Sequence, residues 1–261
     1  MGAKRVETGR GRRAGLVGSR SNKPFLIGMV AILIVGVAAI AALVTRQSRR
    51  PITDVDMRGD PTQARGYIYG DTTAPVQIVE FADFECPACG QFATITEPDV
   101  RARIVDKKQA YIRFLDFPLP MHRNTWDASH AAACADEQGK FWPMHDRLFN
   151  GQDAWNGEAT SRPKSVFMSY ATELGLNGSQ FEKCWDDRKY QSRIAANRAE
   201  AERRNVSQTP TFIIGNKMMP GALGYDEIRK AVDAAAGSPS PVPVQTAPIG
   251  PRPLITPAPR Q

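Results

Sequence analysis

Hydrophobic and polar positions divide the chain into regimes of different period. Residues 1–23 are rich in Arg, Gly and Ser and show no apolar periodicity, a composition expected to be disordered. Phe25 to Val44, FLIGMVAILIVGVAAIAALV, then gives 20 residues without a charge. At about 1.5 Å per residue a helix of that length covers about 30 Å, the depth of a bilayer's hydrocarbon core. It has no polar face, which argues against a buried helix of a globular domain. A transmembrane anchor is therefore expected over 24–45. The competing reading is a cleaved signal peptide, with Ala39-Ile40-Ala41 as a small-residue cleavage site. Signal cores, however, run only about 7–15 residues. Residues 46–73 read as a linker, within which Tyr67-Ile68-Tyr69 before Gly70-Asp71 suggests a short strand and turn.

From Ala74 the pattern becomes that of an α/β domain. Val76, Ile78, Val79 and Phe81 form a β-rich run, and a helical pattern covers about Cys86 to Val105. Ala110 to Leu115 is a second strand, broken by Asp116-Phe117-Pro118-Leu119-Pro120. Helical periodicity then holds through an insert at about 120–205. Within it, Ala131 to Ala135 is a small-residue face, Phe141 to Phe149 is amphipathic, and Ser179-Gln180-Phe181-Glu182 reads as a capping box. Strand character returns at Thr211 to Ile214. Gly215-Asn216 makes a hairpin turn into Lys217-Met218-Met219, and a helix from Tyr225 to Ala236 ends at Gly237. Residues 237–261 hold eight prolines and no acidic residue, which predicts an extended, disordered tail.

The net charge of +7 changes meaning once partitioned. Residues 1–23 carry +6, Arg46, Arg49 and Arg50 add +3, and Arg252 with Arg260 adds +2, so residues 51–236 hold 7 − 11 = −4. Nucleic-acid binding has no support in an acidic globular part. Seven basic residues precede the apolar span, against five in the equally long flank after it. By the positive-inside rule the N-terminus is expected in the cytoplasm and the domain outside, in a compartment where disulfides persist.

Candidate chemistry centres on Cys86-Pro87-Ala88-Cys89, between a buried strand and a helix. A cysteine at a helix N-terminus faces unpaired N–H groups and the positive end of the dipole, which favour thiolate. Cys89 is one turn on, close enough to close a disulfide, so the pair is equipped for thiol–disulfide exchange. Zinc sites use the same spacing, but four-cysteine sites want a second such pair. Cys134 and Cys184 stand 50 residues apart. A further element is Gln208-Thr209-Pro210-Thr211 at a strand entrance, where Pro210 offers no N–H and Thr209 can pair with an extended substrate.

Phe81-x-Asp83-Phe84-x-Cys86-Pro87-x-Cys89, Phe117-Pro118-Leu119, Gln138-Gly139-Lys140-Phe141-Trp142 and Thr209-Pro210-Thr211-Phe212 together resemble the DsbA-like branch of the thioredoxin superfamily. The resemblance covers about Ala74 to Ala236. It implies a thioredoxin fold with an inserted helical domain. Cys86 would be the nucleophile, Cys89 the resolving thiol and Pro210 a cis-proline preceded by Thr209, with Glu80 as the buried acid assisting proton transfer. No cofactor or metal is implied. The implied partners are reduced or unfolded secreted proteins and a quinone-linked membrane reoxidant, DsbB-like or VKOR-like. Two positions depart from the pattern: Ala88 stands where strongly oxidising members have histidine, and Gln208 where glycine is common.

Cys134 and Cys184 fall on two insert helices and are expected to form a structural disulfide, with two buried free thiols as the alternative. His122, His130 and His145 lack metal-ligand spacing and are assigned to surface or packing. Met121, Met218 and Met219 are placed near the rim, where flexible thioethers suit varied apolar partners, although hairpin methionines also serve as core. The reading is a membrane-tethered extracytoplasmic oxidoreductase donating disulfides to secreted proteins. The alternatives are an isomerase or reductase kept reduced by a partner, and a non-catalytic anchored binding module with structural disulfides.

Overall fold

A computed structural model describes residues 23–48, 53–54 and 64–237. The expected disordered basic segment (to residue 22), much of the expected linker (49–52 and 55–63) and the Pro-rich tail from 238 lie outside the described residues. The chain divides into two units, Met1–Arg49 and Arg50–Gln261.

In the first unit, helix α1 (Lys23–Ser48) contains the apolar span, and its large side chains from Ile27 to Ile40 are exposed. The transmembrane expectation meets a difference here. Among the described residues, no helix is long and apolar enough to cross a membrane. Side chains of this helix are described only over residues 27–41, so both ends of the predicted span fall outside them.

The second unit is built on a six-stranded sheet of β1 (Thr53–Asp54), β2 (Tyr67–Tyr69), β3 (Val76–Ala82), β4 (Ala110–Asp116), β5 (Thr211–Ile214) and β6 (Lys217–Pro220), in the order β1-β6-β5-β3-β4-β2. Only β3 and β4 run parallel, and the chain between them crosses over as a helix. The segment read as a linker holds the short strand expected at Tyr67–Tyr69, which pairs with β4, and a second, unexpected one, β1, which pairs with β6. Tyr67 explains the first, because its ring stacks on Phe141 with centroids 3.5 Å apart and draws the segment onto the insert.

The crossover begins as α2 (Pro87–Gln91) and runs through a π-turn (Phe92–Thr96), α3 (Glu97–Val100) and a second π-turn (Arg101–Val105) without leaving helical backbone. Sequence periodicity reads this as plain α-helix. The wider turns rotate its face, so that Phe92, Val100, Ile104 and Val105 are all buried with β3, β5 and the closing helix α10 (Tyr225–Ala236).

Between β4 and β5 lie α4 (Thr125–Asp136), α5 (Phe141–Asn150), α6 (Gln152–Trp155), α7 (Lys164–Glu173), α8 (Gly178–Asp186) and α9 (Gln191–Arg203). The alanines of α4 let α5, α7 and α8 pack close, and Ala128 and Ala131 to Ala133 are fully buried. The N-cap of α8 is Asn177, not Ser179: its side chain accepts from the Gln180 N–H at 2.9 Å, and the helix has already begun at Gly178. Met218 and Met219 belong to the core, while Met121 is exposed.

Candidate active site

Sheet register brings the two halves of the site together. Phe81 of β3 lies opposite Thr211 of β5, so the end of β3 and the start of β5 meet at one edge. Cys86 leaves β3 through a turn and becomes the N-cap of α2, with Pro87 fixing the first helical position. Thr209 and Pro210, joined by a cis peptide bond, enter β5 beside it, and Cys86 Sγ lies 3.5 Å from the Thr209 carbonyl, to which it donates only while protonated.

The two thiols, both reduced, differ sharply. Hydrogen bonding from the Cys89 thiol, assisted by the Thr209 side chain and the N–H groups of Cys89 and Ala88, outweighs burial and lowers Cys86 to about 6. Cys89 is fully buried, and that burial, reinforced by the Cys86 sulfur, pushes it well above an ordinary thiol. The pair is thus an anionic sulfur at the rim and a protonated one beneath it.

Glu80 lies under the site on β3, 1% exposed, and neither carboxylate oxygen has a hydrogen-bond partner among the described residues. Burial first, then the nearby Glu97, raises it well above the usual carboxylate range, with Arg101 opposing. Burial without a hydrogen-bond partner favours the neutral form of an acid. Where Glu80 is ionised, its charge raises Cys89 further.

Three residues hold the active-site turn in ways that sequence spacing did not reveal. Asp83 accepts from the Glu85 N–H at 2.8 Å through one oxygen, and from the Leu119 N–H at 2.7 Å and His122 Nδ1 at 2.8 Å through the other. His122, assigned to surface or packing, instead joins the redox turn. Asp83 raises its pKa above the ordinary value, and the Cys86 charge adds to the effect. Glu85 accepts from the N–H groups of Asn124 and Gly157, each at 2.6 Å, and ties the turn to two insert loops. Gln152 of α6 donates to the carbonyls of Phe84 at 2.6 Å and Cys86 at 3.0 Å. Its amide lies close to Gly90, where a Cβ would meet Gln152 Cδ at 2.9 Å and push the amide off these carbonyls. The acidic residues flanking Phe84 were the available signal, but their partners lie 36 to 72 residues away.

Cys134 of α4 and Cys184 of α8 are joined by a disulfide with Cα atoms 5.8 Å apart. His130 and His145 are fully buried in the insert. Among the described residues no group of three or more His, Cys, Asp or Glu side chains is arranged to hold a metal ion.

A family model described as Thioredoxin matches residues 62–234. Among solved structures, oxidised BdbD from Bacillus subtilis superposes with a TM-score of 0.62 at 20% identity, covering 71% of this chain and 100% of that one. Alpha-DsbA1 from Wolbachia pipientis gives 0.59 at 22% identity, covering 65% and 90%. In sequence, a protein named Na(+)/H(+) antiporter NhaA 3 from Salinispora tropica is 36% identical over 188 residues, 72% of this chain and 27% of that protein. The chain spans about a quarter of the length of the curated relatives it matches.

Proposed function

The chain belongs to the thioredoxin family, in a DsbA-like fold, and from that premise we propose that it is an extracytoplasmic thiol–disulfide oxidoreductase that donates disulfides to secreted proteins. The observation that carries this reading is the asymmetric dithiol: Cys86 lowered to about 6 at the rim, against the Thr209 carbonyl, above a Cys89 held protonated by burial. In the oxidised protein a substrate thiolate attacks Cys86 Sγ and the Cys86–Cys89 bond breaks. Cys89 departs with the electron pair and takes a proton, which Glu80 would supply. The second substrate thiolate then attacks the substrate sulfur of the mixed disulfide and Cys86 leaves as thiolate. The substrate has lost two electrons and the dithiol has gained them. A leaving group already stable as an anion drives this direction.

A membrane reoxidant, DsbB-like or VKOR-like, would return the dithiol to the disulfide, and Phe25–Val44 would tether the domain with the N-terminus in the cytoplasm. What supports the tether is the uncharged sequence and the basic segment before it. The second reading, an isomerase or reductase kept reduced by a partner, is favoured by Ala88, which leaves no histidine between the two cysteines. The antiporter name is not carried over, because the shared stretch is a quarter of that protein.

The deciding experiment equilibrates the full chain with glutathione and compares oxidative refolding of a reduced substrate with insulin reduction. A potential well above thioredoxin's ~ −270 mV, with efficient refolding, is expected. A value near thioredoxin's with rapid insulin reduction overturns the oxidase direction. No exchange at all, with Cys86→Ala behaving as wild type, would leave a binding module.

A further inference from the structure

Buried polar atoms in folded proteins nearly always find partners, so a cluster of them without partners calls for an account. Three buried groups on separate elements have atoms without partners among the described residues: both oxygens of Glu80 on β3, Oε2 of Glu97 on α3 and Nε2 of His145 on α5; the charge of Glu97 acts on Glu80. Glu97 is 1% exposed and His145 fully buried. Their two unpartnered atoms face each other at 3.8 Å, about half an ångström beyond hydrogen-bonding range.

The other atoms of these groups are fixed. Arg101, stacked on the rings of Tyr69 and Trp142 at 4.6 and 4.7 Å, donates through Nε and Nη2 to Glu97 Oε1 at 3.1 and 2.9 Å. Its Nη1 donates to Asp146 Oδ2 at 3.0 Å. One oxygen of each carboxylate is thereby committed to the arginine, and the second is left to the histidine. His145 Nδ1 lies 2.8 Å from Asp146 Oδ1 and 3.3 Å from Arg101 Nη2. The shorter contact, to an anion, assigns the proton to Nδ1 and leaves the Nε2 lone pair toward Glu97. The Asp146 side chain is 46% exposed.

We propose that Glu97 and His145 form a proton relay joining Glu80, beside Cys89, to Asp146 at the surface, so that the proton Cys89 gains or loses in each exchange passes through this pair. The inference rests on the oxidoreductase reading and adds the route that reading lacks. A proton that Glu80 yields is taken up by the free Oε2 of Glu97 and passes to His145 Nε2, and the one on Nδ1 moves to Asp146 Oδ1 and on to water. The reverse sequence reloads Glu80 after it has protonated Cys89. Neither residue touches the sulfurs; both act through Glu80. The charged groups that act on Glu80 are Glu97 and Arg101 on the crossover helix, and Glu97 is the larger influence after burial.

The test is stopped-flow reduction of the oxidised full chain by a dithiol peptide, across pH and buffer concentration, for wild type, Glu97→Gln and His145→Ala. Wild type should be indifferent to buffer concentration. Both variants should lose at least about tenfold in rate in dilute buffer. The Glu97→Gln rate should climb with buffer concentration, and imidazole should restore His145→Ala, while the Cys86 thiolate midpoint stays where it was. If His145→Ala does not fold, Glu97→Gln decides alone, since its amide still accepts from Arg101. Variants with wild-type rates, or slowed without buffer dependence, overturn the relay and leave the oxidoreductase standing. A wild type inert toward the peptide overturns both.

Discussion

At the residue scale, two sulfurs one helical turn apart are driven in opposite directions by where the chain puts them. Cys86 ionises at about 6 in the folded protein, against 9.0 for an ordinary thiol. The folded state therefore binds fewer protons than the unfolded state between those values, and stability of the reduced protein rises with pH across that window. Below about 6 both states are protonated and the advantage is lost; by about 9 it is complete. Urea unfolding under reducing conditions should show wild type gaining on Cys86→Ser steadily from pH 6 to pH 8.5, with no difference in slope below pH 5. A constant gap across the range would mean that Cys86 is not held as thiolate. Position 88 sharpens the point: with alanine there, the anion depends on Cys89, the Thr209 side chain and backbone N–H groups. A helix start supplies the last of these, and their effect was legible in the sequence.

At the element scale, the insert does more than decorate the sheet. Glu85 and Gln152 fasten the redox turn to the loops and helix of the insert, and the Cys134–Cys184 bond locks α4 to α8 behind them. Closing a 50-residue loop removes about 4 kcal/mol of chain entropy from the unfolded state. Replacing both cysteines by alanine should cost about that much in denaturant unfolding. The Cys86 midpoint, measured by thiolate absorbance, should not move, because neither residue touches the site. A changed midpoint would place this bond within the redox machinery. Elements of this kind divide by how much of their cause is local. β3, β5 and α10 could be read because alternation, a turn pair and a terminal glycine are written in neighbouring residues. The π-turns could not, since the rotation they introduce is set by burial against Phe212 and Ile228. Ser179 offered a plausible cap, but Asn177 had the shorter reach to the free N–H groups. Glu97 and His145 are 48 positions apart, and only the folding of α5 onto the crossover helix makes them neighbours.

At the scale of the whole molecule, the charge partition and the apolar span bear on the same question. The region from 51 to 236 carries −4, so the basic character of the chain lies in the segments flanking the span and in the tail. In α1, Ile27, Met29, Val30, Ile32, Leu33, Ile34, Val35 and Val37 are all more than half exposed. Eight such residues within eleven positions place apolar surface on every side of a helix, which water does not tolerate at that density. On the proposed reading lipid would cover this surface, and a domain carried to the far side would meet conditions that form and keep the Cys134–Cys184 disulfide. Expressed in a bacterium, the full chain should stay with membranes through alkaline carbonate and dissolve in detergent. Added protease should digest the domain in spheroplasts while leaving a cytoplasmic marker intact. Removing Phe25–Val44 should shift the chain to the soluble cytoplasmic fraction and leave Cys134 and Cys184 reactive toward maleimide. Release of the full chain by carbonate, or protection of its domain in spheroplasts, would remove the tether and with it the extracytoplasmic placement on which disulfide donation depends.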